Sequence, residues 1–256
     1  TYGYRNRCQL KTDGVQLGFI SEHSHQIAPI DDCIVLNDSC RKLLKTALMR
    51  LPNTAWQSDP GEDLNVIELD DELPPEAIHI NQKRPFKQGN TSQNLWMQNW
   101  LRQKLAQNTP LGKVVELFCG SGNFTQIIAE SNCTAIFAYE SESSAIQSLK
   151  ARNFAKVHPQ VTDLFQPMIW KKIKKHVIDA ETLVLDPPRS GLKKLQGFFD
   201  SFISLKTILY ISCNPETFAR DAWAFNQQGW SIVDIQLVDL FPHTPHVEAV
   251  VEFKKI

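Results

Sequence analysis

The chain has 256 residues, 42% hydrophobic and 21% charged, with a formal net charge of −1. These values exclude a wholly disordered chain, and they argue against a purely electrostatic nucleic-acid binder while leaving local basic patches open. The six cysteines include no CxxC pair, and no apolar run reaches the length of a membrane span.

The opening residues do not read as a signal peptide, so a reducing, cytoplasmic compartment without a disulfide framework is expected. The first residue is Thr rather than Met, which leaves a fragment or a processed form open. Residues 1–85 read as a small α+β domain. Short β-like pieces, YRNRCQL and VQLGFISE, flank a turn at Asp13-Gly14. A helix is expected around CRKLLKTALMRL, with Leu43, Leu44, Ala47, Leu48 and Leu51 on one side. The next segment, LPNTAWQSDPGEDLNVIELDDELPPEAIHI, alternates turn signals with a short strand. Its DDELPP is a loop within the domain or a boundary.

From Phe86 the pattern is α/β. SQNLWMQNWLRQKL reads as an amphipathic helix, with Leu95, Trp96, Trp100, Leu101 and Leu105 as candidate buried positions. Strands KVVELF, TAIFAYE, ETLVLD and TILYIS follow. Each precedes a helical segment, around 123–131, 142–154, 191–204 and 215–228. This alternation predicts a parallel sheet. The last two strands, SIVDIQLVDLF and EAVVEFKKI, predict an antiparallel hairpin at its edge.

VVELFCGSGNFTQIIAE is a strand, a glycine turn and a helix. Gly120 and Gly122 permit a tight turn and close approach of a ligand to the backbone. A dinucleotide fingerprint wants a third small residue where Thr125 stands, so the G-x-G match alone is also compatible with a plain turn. The following strand ends at Glu140, twenty residues after Gly120. A carboxylate there can accept hydrogen bonds from two ribose hydroxyls. It can equally be an acid favoured by a helix N-terminus. Glu116, inside the first strand, is hard to explain as core, because carboxylates are rarely buried unpaired. A glycine loop with a strand-end acid fits a dinucleotide or S-adenosylmethionine, and the latter has no phosphate to cradle. Asp163, in VTDLF, stands where an adenine amino group is read, or is a solvated loop acid.

ETLVLDPPRSGL places Asp186 and Arg189 at the end of another strand, with Pro187 and Pro188 stiffening the turn. Strand carboxyl ends form the ligand crevice of an open parallel sheet. Arg189 suits an RNA phosphate or a carboxylate, or is an ordinary loop arginine. TILYISCNP puts Cys213 at the corresponding end of the next strand. The default for a free cysteine is a small buried hydrophobe. Four features on one rim, the glycine loop, Glu140, Asp186 and Cys213, favour a nucleophile instead. Glu248 lies in the apolar strand VEAVVEF, after His243 and His246. These three lack convincing metal-site spacing, so no metal is expected and a general base is preferred.

At these residues the sequence resembles the RNA 5-methyluridine (uracil-C5) methyltransferases, which act on ribosomal and transfer RNA. The resemblance runs from YGYRNR through FKQGN, ELFCGSGNF, LDPPRSGL and YISCNP to FPHTPHVE. It implies a Rossmann-like S-adenosylmethionine-dependent methyltransferase domain over 86–256, preceded by a small α+β central, RNA-recognition domain over 1–85. It also implies that Gln88, Phe118, Gly120, Gly122, Asn123, Glu140, Asp163 and Asp186 hold S-adenosylmethionine. Cys213 would attack uracil C6, Glu248 would take the C5 proton, and Asp186 would help hold the uracil edge. Arg189 would contact the substrate. The expected partner is RNA, with no membrane, and the chain is expected to be a monomer. PHTPHVE favours the ribosomal branch and 23S RNA, with transfer RNA as the alternative.

Larger members often carry an N-terminal OB-like domain and a four-cysteine iron–sulfur cluster. Here nothing resembles that domain, and only Cys33, in IDDCIVL, stands where a cluster ligand would. Cys33 is a ligand only if the three earlier cysteines lie outside this chain. The region 44–82 is also short for the family's central domain. Three rivals stay open. A cytosine-C5 enzyme usually uses two strand-end cysteines, and LDPPRS has none. A non-catalytic RNA-binding module would keep the basic KKIKK stretch without needing Cys213 and Glu248. An NAD-dependent oxidoreductase would use the glycine turn alone.

Overall fold

The computed structural model describes residues 2–59, 61–82, 84–193 and 195–255. The chain forms two compact units, Thr1–Ser92 and Gln93–Ile256. No helix among the described residues is long and apolar enough to cross a membrane.

The first unit is a four-stranded antiparallel sheet with one helix on it. Its strands are β1 (Arg7–Thr12), β2 (Leu17–Ile20), β3 (Ile27–Pro29) and β4 (Asn65–Asp70), in the order β3-β2-β1-β4. Cys8, Leu10 and Thr12 alternate inward along β1, while Gln9 faces out, as the two-residue period of a strand requires. The β1–β2 turn is closed by Asp13, whose Oδ1 accepts from the Val15 and Gln16 amides (2.8 and 2.7 Å). Helix α1 (Asp38–Met49) starts at the N-cap Asn37, which accepts from Cys40 N (2.9 Å). It buries Cys40, Leu43, Leu44 and Ala47, whereas Leu48 and Leu51 are only partly covered.

The second unit has strands β5 (Lys113–Leu117), β6 (Ala135–Glu140), β7 (Val157–Val161), β8 (Ala180–Leu185), β9 (Thr207–Ser212), β10 (Trp230–Val238) and β11 (Glu248–Lys255). They form one seven-stranded sheet in the order β10-β11-β9-β8-β5-β6-β7. The five strands β5 to β9 pair in parallel, and β11 lies antiparallel between β9 and β10. The helices are α2 (Thr91–Gln107), which begins at the end of the first unit, α3 (Thr125–Ala129), α4 (Ser143–Ala151), α5 (Ile169–Val177), α6 (Phe198–Ser201) and α7 (Pro215–Asn226).

Alternate strand residues face two separate cores. Val115, Leu117, Leu183, Leu185, Ile208 and Tyr210 pack with α5, α6 and α7. Val114, Ile136, Val184, Leu209 and Ile211 pack with α2 and α3 on the other face. Both faces are covered, which is why these strands read as continuous apolar runs. This is the Rossmann-like, doubly wound arrangement. The chain builds outward through β5, β6 and β7, then returns to lay β8 against the other side of β5. Direction therefore reverses between β5 and β8, where open α/β sheets place their ligand crevice.

Three local expectations are corrected. Leu95 and Trp96 are 53% and 39% exposed. The buried stripe of α2 is instead Met97, Leu101 and Leu105 at four-residue spacing, with Gln98 and Trp100 beside it. Strand β7 was not expected, because Pro159 and His158 interrupt its apolar pattern. It is an edge strand paired only with β6, where proline is tolerated. The helix expected over 191–204 shrinks to α6, since Gly191 and Gly197 both adopt left-handed backbone (φ +63° and +79°).

Candidate active site

Strand register brings the candidate residues to one rim. Leu117 pairs with Tyr139 on one side and Leu185 on the other. The next residues along, Phe118, Glu140 and Asp186, therefore sit at one level at the carboxyl end of the sheet. Strand β9 pairs with β8 and then runs further, to Ser212. In the antiparallel ladder Ala249 faces Ser212. One step further along the same register are Glu248 and Cys213. Residues directly opposite in such a ladder project to the same face.

The glycine turn follows β5. Phe118 has φ +65°, Gly120 +53° and Gly122 +97°, so the chain doubles back through three left-handed residues. At Gly120 a Cβ would meet nothing within 4 Å, which leaves open space beside the backbone. At Gly122 a Cβ would lie 2.6 Å from Leu149 Cδ1, so glycine there serves close packing on α4. Glu140 ties the turn to β6. One carboxylate oxygen accepts from Gly120 N (3.2 Å), and the other from the Ser141 and Glu142 amides (2.6 and 2.9 Å). Asn123 and Asn94 of α2 exchange two amide hydrogen bonds (2.8 and 2.9 Å), and Gln98 Nε2 donates to Asn123 Oδ1 (2.9 Å). Thr125 donates to the buried Glu116 (2.6 Å). Burial pushes the Glu116 carboxyl up to about 8, opposed by that hydrogen bond.

The opposite half of the rim is acidic and carries the thiol. Cys213 is the link between β9 and α7. Asn214 caps the helix by accepting from the Glu216 and Thr217 amides (2.9 and 3.3 Å), and Pro215 occupies its first position. The thiol is half-buried, with Sγ 4.0 Å from Pro187 O. Burial pushes it up to about 11; Glu248 and Asp186 add to this, and Arg189 pulls it down. Asp186 is pushed up to about 8, by burial first and then by the charges of Glu248 and Glu140. Burial pushes Glu248 up to about 7, against the pull of Arg189. Two acids and a thiol thus crowd one low-dielectric corner, with an arginine at its edge. Acids poised near neutrality in a cleft are suited to proton transfer.

A family model described as tRNA (uracil-5-)-methyltransferase matches residues 75–256, more than half of the chain. The chain belongs to this family. An uncharacterised RNA methyltransferase of Nitrosomonas europaea is 55% identical over 254 residues, covering 99% of this chain and 65% of its own length. The 23S rRNA uracil-C5-methyltransferase RlmD of Hahella chejuensis is 34% identical over 161 residues, 61% of this chain and 35% of its own length. The RlmD of Pseudomonas entomophila is 28% identical over 315 residues, 99% of this chain and 68% of its own length. The chain therefore spans less than two thirds of the first two of these relatives.

Of the residues singled out from the sequence, Phe118, Gly120, Gly122, Glu140, Asp186, Cys213 and Glu248 lie on the rim described above. Arg189 is exposed at its edge, with Nη2 3.3 Å from His246 Nε2. Asp163 is exposed beyond β7 and accepts from Phe165 N (2.9 Å), closing a local turn. Gln88 belongs to the first unit, where its carbonyl accepts from Asn6 Nδ2 (3.0 Å). Cys33 is half-buried against the core of that unit. Among the described residues no group of three His, Cys, Asp or Glu is placed to hold a metal ion. Sequence reasoning missed Asn94 and Gln98 behind Asn123. Gln98 lies beside the apolar stripe of α2, and no pattern along the chain marks it as buried.

Proposed function

We propose that this protein transfers a methyl group from S-adenosylmethionine to C5 of a uridine in RNA. The observation that supports the proposal is the β9–β11 register: Ala249 pairs with Ser212, the next residues along are Glu248 and Cys213, and the charges of Glu248 and Asp186 both bear on the thiol. The half-buried Cys213 thiol loses its proton to solvent and adds to uracil C6 as the thiolate, forming the S–C6 bond and pushing electrons onto the ring as an enolate. That makes C5 nucleophilic. S-adenosylmethionine, when bound, supplies an electrophilic methyl group. Glu248 then takes the C5 proton, the C5–C6 double bond re-forms and the Cys213 thiolate leaves. Sulfur suits both addition and departure.

The glycine turn fits this cofactor better than a dinucleotide. Gly120 faces open space, whereas Thr125, at the third fingerprint position, is spent on Glu116. Phe118, Gly120, Glu140 and Asp186 would hold the cofactor, with Gln88 and Asp163 as further contacts. Asn123 would act through the turn that Asn94 and Gln98 brace. Arg189 would meet a phosphate, and the unit Thr1–Ser92 would help recognise the RNA. We favour 23S ribosomal RNA as substrate, on the curated relatives' activity and the PHTPHVE segment. Transfer RNA is the alternative.

The test incubates 23S and transfer RNA with the protein and labelled cofactor, then maps 5-methyluridine by mass spectrometry. Cys213→Ala should abolish transfer while calorimetry still detects S-adenosylmethionine binding. Glu248→Gln should accumulate a methylated, covalent RNA–protein adduct. Normal turnover by Cys213→Ala would overturn the mechanism. Absence of the adduct with RNA and cofactor bound would move the base elsewhere.

A further inference from the structure

The loop carrying Arg189 is held along its backbone by side chains of α7, the helix that begins beside Cys213. Thr217 Oγ1 donates to Arg189 O (3.0 Å). Arg220 Nη2 donates to Ser190 O (3.0 Å) and, more weakly, to Leu192 O (3.5 Å). Asp221 Oδ2 accepts from Leu192 N (2.7 Å) and from the Tyr210 hydroxyl of β9 (2.8 Å). Its other oxygen accepts from Arg220 Nε and Nη2 (3.0 and 2.7 Å). Asp221 is fully buried. Gly191, at φ +63°, allows the contact, since a Cβ there would lie 2.5 Å from Asp221 Oδ2 and 2.6 Å from Arg220 Nη2. Two prolines stiffen the front of the loop, and α7 grips its back.

Asp221 is buried while its partner Arg220 is half exposed, and an ion pair open to solvent on one side adds little stability. It does impose a single geometry. The Arg189 side chain remains exposed while its backbone is clamped. We infer that Arg220 and Asp221 are positioning residues that lock the Arg189–Leu192 loop onto the helix behind Cys213, giving Arg189 one fixed placement against the thiol. The inference rests on the methyl-transfer reading above. Such a clamp supplies the rigid support that reacting groups need, because misplacement by about 1 Å can cost about 100-fold in rate.

Two variants of the whole chain test it. In Asp221→Asn one oxygen becomes an amide donor, facing either Arg220 or the Leu192 and Tyr210 donors. Thr217→Val removes the Arg189 contact, together with a longer one to Asn214 O (3.3 Å), at a half-buried position and preserves shape. Backbone amide exchange is measured over 189–192. Covalent adduct formation is measured with 23S rRNA transcribed with 5-fluorouridine, whose C5 fluorine cannot leave as a proton does. S-adenosylmethionine affinity is measured by calorimetry.

Asp221→Asn should speed exchange at Leu192 by about tenfold, the worth of one hydrogen bond. Its adduct rate should fall by about 100-fold with cofactor affinity within about twofold. Thr217→Val should lose several-fold in adduct rate and nothing in cofactor affinity. Unchanged adduct rates in both variants would overturn the inference. So would a loss of cofactor affinity and of protection across the whole chain in step with the adduct rate. If Asp221→Asn does not fold, Thr217→Val decides. If the unaltered protein forms no adduct, the uracil reading fails, and unchanged exchange at 189–192 in the variants would separately sink the clamp.

Discussion

Glu248 and Asp186 show what the site costs at the level of single residues. Both acids are favoured as the neutral form by burial, with Asp186 raised further by neighbouring charge. A carboxyl whose folded value lies above its unfolded one leaves stability intact at low pH. It erodes stability as pH rises from the ordinary carboxylate range up to the folded value, here about 7 for Glu248. Glu248→Gln should therefore stabilise the fold at pH 8, by about 1–3 kcal/mol, and change little at pH 4. Denaturant unfolding at the two pH values checks this, and equal effects at both would contradict it. Strand-end positions such as Glu140, Asp186 and Cys213 were legible because each closes an apolar run. Asp221 was not. Flanked by Ala219-Arg220 on a helix, it looks like a solvated acid, and only the close approach of Gly191 reveals its burial.

At the level of elements, the two glycines of the β5–α3 turn do different work. Gly122 is packed against Leu149 and Arg152, whereas Gly120 borders open space. Gly122→Ala should cost about 1–3 kcal/mol through the forced contact and the left-handed backbone. Gly120→Ala should cost about 1 kcal/mol and chiefly weaken cofactor binding. Thermal unfolding and calorimetry on both variants separate the effects. Reversal of the order would show that the turn faces its ligand the other way. Elements with uniform apolar runs were read correctly, as in β5, β8 and β9. Strand β7 and the exposed Leu95 and Trp96 were misread because pairing partners decided them: an edge strand tolerates proline, and the sheet selects which stripe of α2 it covers.

At the scale of the whole molecule, a net charge of −1 means that RNA affinity cannot come from a global field. Binding should depend on a few local contacts, with a log–log salt slope of about 2–4 and a loss of about one from that slope in Arg189→Ala. Filter binding across a salt series checks this, and a much steeper slope would point to a larger basic surface. The sequence by itself determined the α/β class, the parallel strands, the edge hairpin and the rim residues Glu140, Asp186 and Cys213. Those features rest on local signals: apolar runs, glycine and proline punctuation, and residue chemistry. The tertiary structure alone brings Glu248 to the end of β9 near Cys213, returns β8 beside β5, and buries Asp221 against Leu192 of the Arg189 loop. Each of these joins residues far apart in the chain, so each is set by strand register and packing rather than by any pattern along the sequence.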